Sequence, residues 1–274
     1  MPELPEVETI ASGLSPLVAG KRILEVDLLQ ESAVRGNSML FRQRLSSRTV
    51  QAVRRRAKLL IMDLEGPMHL VFHLKMTGKV WVPESSYSPG RHTRMILALE
   101  REKFIFFEDQ RKFGYVAAMT PDELASWSFY ASLGPEPLEV SLSRFSEIFS
   151  NKKARIKSLL LDQKTIAGIG NIYADEALHK ASIHPCTPAS ELSAKQLARL
   201  LDSLQKVLRA AIHAGGSSFR NYRNALGVAG LFQENFQVYG KKGQPCPVCR
   251  TCILTARVAG RTSSYCPHCQ KQTG

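Results

Sequence analysis

The chain has 274 residues, 44% hydrophobic and 22% charged, which supplies packed cores and excludes a wholly disordered protein. That length suggests about two domains of roughly 100–200 residues each. Lys and Arg number 37 against 24 Asp and Glu, a net charge of +13, so the expected partner is a polyanion, either nucleic acid or an anionic membrane surface.

The chain opens MPELPEVETI, with two prolines and three glutamates in its first eight residues and no basic-then-apolar leader. Val7, Ile10, Ala11, Leu14 and Leu17 recur near every 3.6 residues, which predicts a helix kinked or shortened by Pro16 and stopped by Gly20. Residues 22–29, 49–65, 68–82, 94–100 and 103–109 are β-branched or aromatic runs between Gly, Pro and polar clusters. They predict an antiparallel sandwich or barrel, with 84–92 a loop. Past a Pro-rich connector at 132–141 the period becomes helical, over 143–149, 152–163, 171–183 and 193–216. The last of these sets Leu197, Leu200, Leu201, Leu204, Leu208 and Ala211 on one face, with Gly215 as its stop. No apolar run approaches the roughly 20 residues of a membrane span. The expected address is therefore cytoplasmic and non-secreted, with cysteines as thiols or metal ligands.

From Tyr239 onward the chain carries five of its six cysteines, six Lys or Arg and no acid. Cys246 and Cys249 form one C-x2-C pair and Cys266 and Cys269 a second, sixteen residues apart. Two such knuckles predict a closed tetrahedral zinc site, structural because four protein ligands leave no open position. Cys252 would make an alternative C-x2-C with Cys249, but it runs into an apolar strand and reads as a buried or spare thiol; Cys186 reads as inert. Arg250, Arg257 and Arg261 suit phosphates or a solvated basic face.

Three further stretches carry candidates. In strand alternation Arg54, Arg56 and Lys58 share one face suited to a nucleic-acid backbone. In GIGNIYADE, Gly168 and Gly170 allow a tight turn, and Asn171 could cap a helix whose N-terminus meets phosphate; a plain helix joint serves equally. Arg111 and Phe113 sit in a loop where they could wedge a base stack, although Phe113 on its own reads better as a core anchor.

Taken in order, PELPEVE, HLKMTGK, DQRKFG, GIGNIYADEALH and the cysteine tail resemble bacterial formamidopyrimidine-DNA glycosylases over essentially the whole chain. The resemblance implies an α+β monomer. An N-terminal helix and catalytic β-sandwich span 1–132, a helix–two-turn–helix domain 133–238 and a zinc ribbon 239–274, with double-stranded DNA in a basic cleft between domains. It implies a bifunctional glycosylase and abasic-site lyase for 8-oxoguanine and formamidopyrimidines. Once Met1 is removed, Pro2 offers a secondary amine; α-amino groups have a pKa of roughly 7.7–8.0, so part of the population is nucleophilic near neutrality. That amine attacks C1′, displaces the base and forms a Schiff base, and β,δ-elimination cuts the strand. Glu3 is implied as proton donor at the sugar, and Glu6 as the acid ordering the amine and a water. Glu8 is read only as favouring the helix dipole.

Lys58 and Arg261 are implied as phosphate contacts that donate protons in the elimination. His92, Lys157 and Asn171 are implied as DNA contacts. Met76, Arg111 and Phe113 would fill the hole left by the extruded base. The chain departs from the family pattern at Ala57, at Ser264 and in 215–233, the loop over the flipped base, which lacks the usual acids. Two alternatives stay open: an endonuclease VIII-like glycosylase for oxidised pyrimidines, and a non-catalytic DNA-binding protein on the same scaffold. The long PELPEVE start and the Arg111/Phe113 loop favour the purine branch, and the joint presence of Pro2, Glu3 and Glu6 argues against the second.

Overall fold

A computed structural model describes residues 1–83, 88–218 and 222–272. The 84–92 loop is thus described only from residue 88, and 219–221 of the 215–233 loop lie outside the described residues. By internal packing the chain forms two units, Met1–Ala131 with Ile212–Gln233, and Ser132–Ala211 with Glu234–Gly274. Residues 212–233, which the sequence groups with the helical segment, thus pack with the N-terminal unit, and the ribbon packs with the helices.

The first unit begins with α1 (Leu4–Val18), whose buried residues Val7, Ile10, Ala11, Leu14 and Val18 follow the 3.6 period. The helix runs through exposed Pro16 to Val18, and Gly20 ends the segment at φ +76°. Then come β1 (Ile23–Leu28), α2 (Ser38–Leu45), β2 (Val50–Arg56), β3 (Leu59–Leu64), β4 (Met68–His73), β5 (Gly78–Trp81), β6 (Thr93–Leu99), β7 (Lys103–Asp109) and β8 (Tyr115–Met119). Two short helices, α3 (Pro121–Ser126) and α4 (Ser128–Ala131), close this stretch. The strands make two antiparallel sheets, ordered β1-β6-β7-β5 and β2-β3-β4-β8.

Strand alternation explains why β3 is buried on both faces. Leu60, Met62 and Leu64 enter the main core with α1, while Leu59 and Ile61 join Val71, Leu124 and Trp127 beneath α3. Each such side chain contributes roughly 1.5–3 kcal/mol by burial.

The 49–65 run is a hairpin and not one strand. Ala57, at φ +53°, turns the chain between β2 and β3, so Lys58 does not share a strand face with Arg54 and Arg56. The 68–82 run also splits, and its halves enter different sheets, β4 in one and β5 in the other, across a turn in which Lys75 has φ +49°. The elements α2 and β8 had no counterpart in the sequence reading.

The second unit holds α5 (Leu142–Phe149), α6 (Ile156–Leu161), α7 (Asn171–Lys180) and α8 (Ala194–His213) up to Ala211, followed by β9 (Leu254–Val258) and β10 (Arg261–Tyr265). The expected apolar face of α8 is buried from Leu197 to Ala211. Strands β9 and β10 pair across Ala259 and Gly260, at φ +49° and +71°, the two positive φ values of a type I′ hairpin. No helix of the described residues is long and apolar enough to cross a membrane.

Candidate functional site

Pro2 is buried at the head of α1, with Glu3 and Glu6 only 3% and 2% exposed. One Glu6 oxygen accepts the Glu3 N–H at 2.8 Å, and the other accepts the Ser217 N–H at 2.8 Å. Hydrogen bonds to an ionised carboxylate are the stronger kind, so Glu6 ties the first turn of α1 to the 215–233 loop. Tyr222 adds a bond from its hydroxyl to the Glu6 carbonyl at 3.3 Å, and burial, then the Glu6 charge, push that phenol well above its ordinary range. The loop's stem is closed by Leu231 N–H on Ala214 O and Phe232 N–H on Gly216 O, both 3.0 Å. Only glycine fits at 230, where a Cβ would stand 2.3 Å from the Gly216 oxygen. The buried Ser217 hydroxyl has no partner among the described residues.

Lys58 is 7% exposed in the β2–β3 turn. Beside it Arg55 bonds Glu8 at 2.9 Å and the Ala57 carbonyl at 3.1 Å. Glu8, read from sequence only as a helix-dipole acid, is therefore an ion-pair partner. Behind Lys58 stands buried His73, pushed down to about 3 by burial first and then by the charges of Lys75 and Lys58.

Met76, Arg111 and Phe113 are brought together. Met76 lies in the β4–β5 turn and the other two in the β7–β8 loop. The Arg111 guanidinium donates to the Met76 sulfur at 2.8 Å and lies 4.8 Å from the Phe113 ring centroid. Phe113 is 54% exposed, so the core-anchor reading fails and an apolar ring stands on the surface. Fully buried Asp109 holds the loop: its carboxylate accepts Gly114 N–H at 2.7 Å, Arg111 N–H at 3.2 Å and the Thr77 hydroxyl. Its carbonyl takes two bonds from buried Arg94, at 2.9 and 2.7 Å. Half-buried His92 joins this base, its carbonyl accepting Asp109 N–H at 2.9 Å and its ring Nε2 accepting from Arg91 at 3.1 Å.

In the second unit Asn171 is the first residue of α7 and Gly170 its cap, so the expected Asn171 cap is corrected. Its side-chain N–H₂ instead bonds the Thr262 carbonyl of β10 at 3.0 Å, leaving its oxygen buried without a partner among the described residues. Arg261 is exposed beside the hairpin turn. Lys157, expected as a DNA contact, is instead fully buried; its ammonium lies 2.6 Å from Asp175 and 3.3 Å from the Thr262 carbonyl. Burial pushes the Asp175 carboxyl up, opposed by Lys157, the Ser264 N–H and the Ser263 hydroxyl.

The sulfurs of Cys246, Cys249, Cys266 and Cys269 lie within 4.8 Å of one another, with Cys249–Cys266 at 3.4 Å and Cys246–Cys269 at 3.9 Å. Zinc–sulfur bonds of 2.3 Å in a tetrahedron place sulfurs about 3.8 Å apart, so these four hold one structural zinc. Cys252 is exposed and spare, and Cys186 is half-buried.

Asp109, Asp175 and Ser217 were missed from sequence. Asp175 carried a signal, since it lies four residues after Asn171 on the same helix face; the partners of Asp109 and Ser217 come from distant segments and left none.

Three families match the chain: the Formamidopyrimidine-DNA glycosylase N-terminal domain over residues 1–116, the Formamidopyrimidine-DNA glycosylase H2TH domain over 133–223, and the zinc finger found in FPG and IleRS over 243–272. The formamidopyrimidine-DNA glycosylase of Roseiflexus sp. is 42% identical over 99% of this chain and 100% of its own. That of Nitratidesulfovibrio vulgaris is 49% identical over 77% of this chain, which spans 58% of that longer relative. A crystal structure of a mutant Lactococcus lactis FPG with a Fapy-dG containing DNA superposes with a TM-score of 0.93 at 33% identity, covering 99% and 100% of the two chains.

Proposed function

The chain belongs to the formamidopyrimidine-DNA glycosylase family and is a DNA glycosylase with one structural zinc; from that premise we propose that it excises oxidised purines from duplex DNA and then cleaves the strand. The substrates are 8-oxoguanine and formamidopyrimidines. The agent is the secondary amine of Pro2 on a chain freed of Met1, acting as a monomer in the bacterial cytoplasm.

The observation that carries this reading is the buried Pro2–Glu3–Glu6 cluster at the head of α1, with Glu6 bonded to the stem of the 215–233 loop. A carboxyl beside the amine suits proton transfer as the C1′–base bond breaks and the C1′–N bond forms. The Ser217 hydroxyl, without a partner among the described residues, leaves a polar group on that loop for an extruded base. The Schiff base then acidifies the 2′ hydrogens, and elimination removes first the 3′ and then the 5′ phosphate.

Lys58, Asn171 and Arg261 are the proposed phosphate contacts, with Lys58 and Arg261 as proton donors in the elimination. Buried Lys157 supports the Thr262 carbonyl beside Arg261 and acts through it. Met76, Arg111 and Phe113 fill the vacated stack, offsetting an extrusion cost of a few kcal/mol, with His92 at the base of their loop.

Duplexes carrying a single 8-oxoguanine, formamidopyrimidine, oxidised pyrimidine or abasic site test the reading. Faster excision of both purine lesions and nicking at the abasic site are expected. Preference for the oxidised pyrimidine contradicts the substrate assignment.

A further inference from the structure

The zinc site has a neighbour outside the ribbon. His179, on the last turn of α7 and 5% exposed, sets its Nε2 3.5 Å from the sulfur of fully buried Cys246. It is the third member of one stripe: Asn171, Asp175 and His179 recur every four residues along α7, and each reaches the ribbon. Asn171 meets the Thr262 carbonyl, Asp175 the Ser263 hydroxyl and Ser264 N–H, and His179 the first cysteine knuckle. The first two belong to the network beside Arg261. The third has no part in the proposed DNA chemistry, and its position calls for another role.

Four thiolates around a divalent ion leave a net charge of −2, and N–H donors to the sulfurs disperse it. The ribbon supplies such donors itself, Cys269 N–H on Cys266 at 3.5 Å among them. A neutral imidazole carries a single N–H, and against a metal-bound thiolate, which can only accept, that proton belongs on Nε2. The geometry points to His179 as a positioning residue of the zinc site: it donates its Nε2–H to the Cys246 thiolate, strengthens zinc retention and anchors the metal knuckle to α7. Groups around a metal's own ligands typically govern its affinity by 10–100-fold.

The test uses the full chain and two variants. His179→Phe keeps a flat ring and removes the donor; His179→Gln keeps a donor nitrogen at similar reach. Zinc affinity is read by competition with a chromophoric chelator, and the sulfur-to-metal charge-transfer bands are read after cobalt substitution. The expected result is about tenfold or greater loss of zinc affinity in His179→Phe, a shift of its cobalt bands to lower energy, and return of both toward the parent in His179→Gln. Parent-like affinity and bands in His179→Phe overturn the proposal. Equal losses in both variants with unmoved bands also overturn it, because packing alone would then explain the effect. A measurement on the unaltered chain covers a variant that fails to fold: with cadmium-113 in place of zinc, scalar coupling from the metal to the His179 ring N–H is expected, and an observed ring N–H without coupling refutes the bond.

Discussion

Glu6 accepts N–H groups from positions 3 and 217, so one carboxylate joins segments 211 residues apart in the chain. Its helix-turn spacing from Glu3 is visible in the sequence; its bond to Ser217 is not, because nothing local marks Ser217 as a partner. Lys157 makes the same point in reverse. A lysine beside an arginine reads as solvated, yet its ammonium is buried on Asp175, eighteen residues on. His73 yields a prediction at this scale. Its folded value of about 3 lies below the ordinary 6.5, so the unfolded chain binds the extra proton between those values. The stability this neutral imidazole contributes is full above pH 6.5 and is lost as pH falls toward 3. By pH 4 the loss is on the order of 3 kcal/mol. In urea unfolding, the parent should therefore lose more stability between pH 7 and pH 4 than His73→Gln does. Parallel losses contradict the assignment.

At the scale of elements, the loop proposed as the wedge depends on a residue that never meets the exterior. Asp109 binds two backbone N–H groups and the Thr77 hydroxyl, holding Lys112 at φ +60° and presenting Arg111 and Phe113. Asp109→Ala leaves those donors unpaired, so it should lower stability by about 2–3 kcal/mol. It should also slow lesion excision more than nicking at a preformed abasic site, which needs no base extruded. Equal slowing of the two reactions contradicts the wedge role.

How far such elements could be read from sequence followed how local their signals are. The stripe of α8 and the paired C-x2-C knuckles are periodic over short spans, and both were legible. The strand run 68–82 was not: both halves are apolar, and Lys75 to Thr77 turn the chain between sheets with no Gly, Pro or Asn before Gly78. The Ala-bearing β8, YVAAM, carries a single β-branched residue, Val116, too few to stand out as a run, and it is a strand because β4 pairs with it.

For the whole molecule, a net charge of +13 fits a glycosylase that must hold duplex DNA while one nucleotide leaves the stack, with phosphates supplying most of the affinity. In the proposed reaction the zinc ribbon contributes a hairpin carrying Arg261, and the N-terminal unit contributes the amine, its two acids and the wedge. The account stands on one covalent step, addition of the Pro2 amine to C1′ of a damaged nucleoside. Borohydride trapping on a duplex with a single 8-oxoguanine, followed by mass mapping of the cross-linked peptide, tests it most directly. The predicted result is a reduced adduct on Pro2 of a methionine-free chain. Tight binding with no adduct on any lesion or abasic site, or an adduct that maps to a lysine, contradicts it.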